Sequence, residues 1–192
     1  METPIRGIRF IHEAINREAA DLEQRAKSGP LEPARVAFFK KVLHIHAKGE
    51  ELALFPAIDE RVKDVVPPYL LDHREEDEIL AQLDGPDYLR ATHKLAEHLR
   101  LHIKKENEIL TPLLERLLTI PEQAEHVAKM MSVFTPQDMA EVLPWMITWL
   151  TTDDRRAYLA ILDKAMPPER VAGVLGMLKA KLAPDVWQSL GR

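Results

Sequence analysis

The sequence predicts an all-α fold: an up-down-up-down four-helix bundle followed by a C-terminal extension of short helices. Three observations carry that expectation. Apolar residues recur at spacings of three and four instead of alternating. Glycine is scarce, at seven of 192 residues, and β-branched runs are rare. Breakers rich in proline and glycine divide the first 118 residues into four long segments.

The first segment runs from about Ile5 to Lys27 and stops at Ser28-Gly29-Pro30. The second starts near Pro33, a favoured first-turn position, and runs to about Asp64, with Pro67-Pro68 ending it. The third covers about Tyr69 to Leu83 and stops at Asp84-Gly85-Pro86. The fourth runs from about Asp87 to Leu118. Pro56 and Pro112 fall inside the second and fourth patterns, where each is expected to kink or end its helix. Long helices with short connections make a bundle, assigned to residues 1–118.

From Thr119 the rhythm shortens. Ile120-Pro121, Thr135-Pro136, Thr151-Thr152-Asp153 and Pro167-Pro168 punctuate three or four short helices over residues 119–192. Thr135 with Asp138, and Thr151 with Asp154, have the spacing of helix N-caps. Met130, Leu143, Trp145, Met146 and Trp149 make this extension too apolar to stay unpacked. It is expected to pack on the bundle or on a partner, a second copy of the chain included.

Composition narrows the chemistry. With no cysteine, disulfides, thiol nucleophiles, zinc fingers and iron–sulfur ligation are excluded. Lys plus Arg is 26 against 31 Asp plus Glu, which argues against a nucleic-acid partner. The N-terminus carries no apolar signal segment and no stretch is long enough to span a membrane, so a cytoplasmic location is expected. Histidine stands out at eight residues. Any metal must be held by imidazole and carboxylate.

Two segments repeat. His46-Ala-Lys-Gly-Glu50-Glu-Leu-Ala-Leu54-Phe-Pro56 matches His102-Ile-Lys-Lys-Glu106-Asn-Glu-Ile-Leu110-Thr-Pro112. The shared pattern, H-x-K-x-E-x-x-x-L-x-P, fits two helical hairpins related by a pseudo-twofold axis. Tracing each inward stripe places His12 among Ile8, Ile15 and Ala19, and His46 and Glu50 among Phe39, Leu43 and Ala53. It places His73 and Asp77 between Leu70 and Leu80, and His102 and Glu106 between Leu99 and Ile109. Unpaired carboxylates in a core cost several kcal/mol each. A cluster of carboxylates and neutral imidazoles on four facing helices is therefore a transition-metal site, and two glutamates among several histidines suit a dinuclear one.

The ordered set H…HxxxE…H…HxxxE resembles the hemerythrin-like (HHE cation-binding) family. The resemblance covers about residues 5–118 and includes IHEAI, HAKGEELALFP, LLDHREED and HIKKENEILTP. It implies a bundle around two iron ions bridged by the Glu50 and Glu106 carboxylates. His12 and His46 would serve one ion, with His73 and His102 at the other. Zinc or manganese could replace iron in a purified sample. The resemblance also implies a small oxidant as partner: O2, H2O2 or NO. Oxygen-carrying members have a second histidine four residues after the third-helix histidine, where this chain has Asp77. Asp77 is then either an additional ligand or the sign of an open position, which favours peroxide, NO or sensing chemistry over O2 carriage.

Two further residues join the candidate set. Tyr69, one turn before His73, could hydrogen-bond a bound oxygen species, and His98, one turn before His102, could be a spare ligand. His44 should face away from His46, and His93 and His126 have no supporting pattern. Val142-Leu143-Pro144-Trp145-Met146 resembles the segment after hemerythrin modules in some larger proteins of the family. A regulatory module responding to iron or oxygen, its C-terminal helices binding a partner, is the alternative reading.

Overall fold

The computed structural model describes residues 3–191; Met1, Glu2 and Arg192, the outer limits of the two expected units, lie outside the described residues. A 3-10 turn (Ile5–Ile8) leads into α1 (Arg9–Ala26), followed by α2 (Pro33–Asp59), α3 (Pro67–Leu80) and α4 (Tyr88–Lys105). The last of these passes through a π-helical turn (Glu106–Leu110) into α5 (Thr111–Leu117). Five shorter helices follow: α6 (Ile120–Met131), α7 (Pro136–Trp149), α8 (Thr152–Ala165), α9 (Pro168–Lys181) and α10 (Pro184–Ser189). The described residues contain no strand, and none of their helices is long and apolar enough to cross a membrane.

Four departures from the expected elements have local causes. Pro67 and Pro68 open α3, where a missing N–H costs nothing, and do not merely close α2. The second helix ends at Asp59, one turn past Pro56. The fourth segment is not one continuous α-helix. Pro112 lacks an N–H and crowds the carbonyl four residues earlier, and the π-helical turn sits directly before it. The extension has five helices, because Ala183-Pro184 adds a break beyond those at Pro121, Pro136, Thr151 and Pro168. Thr135 and Thr151 cap their helices by accepting from the backbone N–H of Asp138 and Asp154, each at 3.1 Å.

The bundle helices enclose two apolar cores with a polar layer between them. One core holds Ile15, Leu22, Phe39, Leu43, Ile79 and Leu99. The other holds Ile5, Leu54, Ile58, Tyr69, Leu110 and Leu114. His12, His46, Glu50, His73, His102 and Glu106 fall between these sets along their helices and are all buried.

The extension shares these cores. Met130 of α6 belongs to the second, and Val142 of α7 to the first. Phe10 and Ala14 of α1 join Leu143, Ile147, Leu159 and Leu178 in a third. Helix α6 lies on α2 at Gly49, where an added Cβ would sit 2.8 Å from Met130 Cγ and 3.1 Å from its carbonyl oxygen. The side chain can turn away, but the carbonyl cannot. Gly49→Ala is expected to cost up to about 2 kcal/mol net, the overpacking penalty less roughly 1 kcal/mol gained in helix propensity. A lower denaturant midpoint checks this, and an unchanged midpoint would show that α6 is free to move.

Candidate metal centre

Six side chains meet in the polar layer. His12 comes from α1, His46 and Glu50 from α2, His73 from α3, His102 from α4, and Glu106 from the start of the π-helical turn. None is more than 6% exposed. Their ligand atoms form two overlapping sets, His12/His46/Glu50/Glu106 and His73/His102/Glu50/Glu106, each with all atoms within 4.8 Å of one another. Both glutamates belong to both sets. The rings of His12 and His46 meet edge-on with centroids 5.0 Å apart, and those of His73 and His102 repeat the arrangement at 5.0 Å.

Distances within the layer are those of ligands around a gap. His12 Nε2 lies 3.4 Å from Glu106 Oε2, His46 Nε2 3.5 Å from Glu50 Oε1, and His73 Nε2 3.4 Å from Glu50 Oε2. His102 Nε2 lies 3.2 Å from Glu106 Oε1. Several of these buried atoms make no hydrogen bond: Nε2 of His12, His46 and His73, Oε2 of Glu50 and both Glu106 oxygens. Buried polar atoms are almost always satisfied, so this many orphans converging on one place require a partner with empty coordination positions. Imidazole nitrogens and carboxylate oxygens together suit a first-row transition metal, so the residues present fit a metal ion.

Outer contacts fix the ring orientations. His12 Nδ1 donates to Asn107 Oδ1 at 2.8 Å, His73 Nδ1 to Glu51 Oε1 at 2.8 Å, and His102 Nδ1 to Asp72 Oδ2 at 3.0 Å. Each bond keeps a proton on the outer nitrogen and aims Nε2 inward, where its lone pair is free for a metal once that nitrogen is deprotonated. His46 differs, since its Nδ1 is buried with no partner.

The charges respond to this packing. Burial holds the His46 imidazole down at about 3, and the Glu50 charge fails to offset it. Burial also opposes charge on His73 and His102, but the nearby Glu50 carboxylate lifts the first to about 9 and Glu106 lifts the second to about 10. The two glutamates split. Burial opposes its charge, yet the surrounding imidazoles hold Glu50 well below the usual carboxylate range, while burial and the Glu50 charge push Glu106 up.

The other candidates sit elsewhere. Asp77 does not face the layer. Its side chain is 62% exposed and pairs with His44 at 2.9 Å. The inward residue of that turn is Glu76, which is 4% exposed and pushed up to about 7, chiefly by burial. His73 and Glu76, at i and i+3, share a helix face, and a strict step of four overshoots it. Tyr69 is buried against Phe55 and His102, its hydroxyl 3.5 Å from the Lys105 carbonyl oxygen. His98 stacks on His102 with centroids 6.1 Å apart and belongs to neither ligand set. His93 pairs at the surface with Glu23 at 3.0 Å. Asn107, Glu51, Asp72 and Glu76 were not read from the sequence. A signal for the first two exists, since each directly follows a repeat glutamate.

A model of the hemerythrin HHE cation-binding domain matches residues 3–114. The chain belongs to this family. Among curated proteins, this hemerythrin-domain chain is 25% identical over 190 residues to the zinc finger protein BRUTUS of Arabidopsis thaliana, covering 88% of the chain and 15% of the relative. Two BRUTUS-like zinc finger proteins of the same plant are 24% and 22% identical, covering 80% and 88% of the chain and 14% and 15% of theirs. The chain thus spans about a seventh of these relatives. What it shares with them is not a cysteine zinc finger, since it has no cysteine. The family match covers under three-fifths of the chain, so the 88% alignments reach into the helices after α5. No solved structure matches the chain.

Proposed function

We propose that the buried layer is a non-haem di-iron centre that binds or reacts with a small oxidant, O2, H2O2 or NO. The observation that supports this reading is the pair of glutamates shared by two histidine sets. Carboxylates shared in this way hold two cations at once and offset their charge. Two iron ions held there would supply redox chemistry toward such oxidants. The protein's own part is fixed by its residues. Glu50 and Glu106 bring negative charge into the core, three outer hydrogen bonds aim the imidazoles, and the two apolar cores keep bulk water out.

A second reading, a regulatory module, has one observation in its favour. Gly49 precedes Glu50, and α6 packs directly on that glycine. Metal-driven movement of α2 would therefore reach the helices after Thr119.

One preparation tests both. Anaerobic loading followed by air exposure should give about two irons per chain and a near-ultraviolet iron charge-transfer band. Less than one iron per chain with no band overturns the di-iron reading. Limited proteolysis of the same samples addresses the second. Cleavage of residues 119–192 that depends on iron supports it, and identical cleavage of apo and loaded protein counts against it.

A further inference from the structure

Resting on the dinuclear reading, we propose that the two metal positions are unequal by construction. The His73/His102 position fills first and binds tightly, and the His12/His46 position is labile.

The repeat that aligns α2 with α4, together with the two alike ligand sets, makes the comparison direct. His12 matches His73, His46 matches His102, and Glu50 matches Glu106, so the ligand sets are alike. Their surroundings differ at three matched places, always in the same sense. The residue after each glutamate holds the lone histidine of the other hairpin. Neutral Asn107 does this for His12, and the carboxylate of Glu51 for His73, both at 2.8 Å. The residue before each lone histidine comes next. Asp72 holds His102 at 3.0 Å, whereas its counterpart Ile11 leaves His46 Nδ1 buried without a partner. The third place is one turn on. Glu76 is buried beside His73 and His102, and its counterpart Ile15 belongs to the apolar core. One position has three carboxylates where the other has an amide and two isoleucines.

A fourth matched pair opposes the trend without reversing it. Lys105, which corresponds to Gly49, forms an ion pair with Asp72. Its ammonium offsets one of the three carboxylates, and the carboxylate of Glu51 on His73 remains. A carboxylate on the outer nitrogen makes an imidazole a better donor and pins its orientation, and such partners are typically worth about 10–100-fold in metal affinity. Negative charge near the ion strengthens the attraction further.

The test is an anaerobic titration of the full chain with Co2+, followed by visible absorbance and calorimetry. The wild type should bind two ions in two steps at least about tenfold apart. His12→Ala should remove the weak step alone. Glu51→Gln with Asp72→Asn should weaken the tight step by about tenfold or more and leave the weak step within about threefold. Asn107→Asp, which adds the missing charge beside His12, should strengthen the weak step. Two ions binding in one unresolved step in the wild type would overturn the inference and leave the dinuclear reading intact. So would loss of the tight step in His12→Ala. Saturation at a single ion would overturn the dinuclear reading itself.

Discussion

A chain carrying Glu50→Leu and Glu106→Leu together is expected to bind no metal, although all four layer histidines remain. Each glutamate belongs to both ligand sets, so no half of the centre survives the change. The apoprotein should lose stability as well. Without metal Glu50 and Glu106 face His73 and His102, and the surrounding imidazoles hold Glu50 well below the usual carboxylate range. Removing one side of a buried pair typically costs about 3–5 kcal/mol, lessened here because the imidazoles can shed their protons. The contrast with the loaded wild type should be large. Metal at a thousandfold excess over Kd stabilises the native state by about 4 kcal/mol, or about 8–16 °C in melting temperature for a chain of this size. Thermal melts with and without metal, together with metal analysis, read both effects. A double variant that still binds metal, or still gains stability from it, would show that the two glutamates do not hold the metal.

Glu18→Ala is expected to destabilise the fold by about 2–3 kcal/mol, because it takes the acceptor from three partly buried donors. Glu18 is 2% exposed and accepts three hydrogen bonds. Arg35 Nε donates at 2.6 Å, Trp145 Nε1 at 2.9 Å and Trp149 Nε1 at 2.8 Å. The carboxylate thereby joins α1 to α2 and both to α7. Glu18→Gln keeps an acceptor but loses the charge facing Arg35, and should cost less. Denaturant unfolding followed by tryptophan fluorescence gives the size. A Glu18→Ala midpoint equal to wild type would mean that α7 is held by its apolar contacts alone.

Much of this was legible in the sequence wherever spacing alone decides. His12, His46, Glu50, His73, His102 and Glu106 each lie on a stripe that steps by three and four, and all six are buried together. The same stepping failed where a helix departs from regular pitch or where two steps compete. Asp77 and Glu76 are equally consistent with a stripe through His73, and only the packed bundle selects Glu76. Ile109 was traced inward and is 56% exposed, because the π-helical turn rotates Leu110 into its place. Glu18 lay hidden for another reason. Its partners are distant in sequence, and a buried acid on a helix otherwise reads as surface. The contacts of Asp72 and Glu51 were hidden in the same way, since LLDHREED and GEELA present them as ordinary exposed charges.

The π-helical turn gives the repeat a further meaning. An extra residue in one turn is a phase slip of about 100°. Upstream, His102 and Glu106 set the angular phase of the fourth segment. Downstream, Leu110, Leu114 and Leu118 face the second core at steps of four. A uniform thread of 3.6 residues per turn drifts by about 40° at each such step, so it could not serve both ends. The first copy of the repeat keeps its thread, with Ala53, Leu54, Ala57 and Ile58 all buried after Glu50. The two matching segments therefore share their buried glutamate and leucine but reach that leucine along different backbones. From the glutamates onward they are screws of different pitch, and the likeness of the two copies ends at the edge of the polar layer.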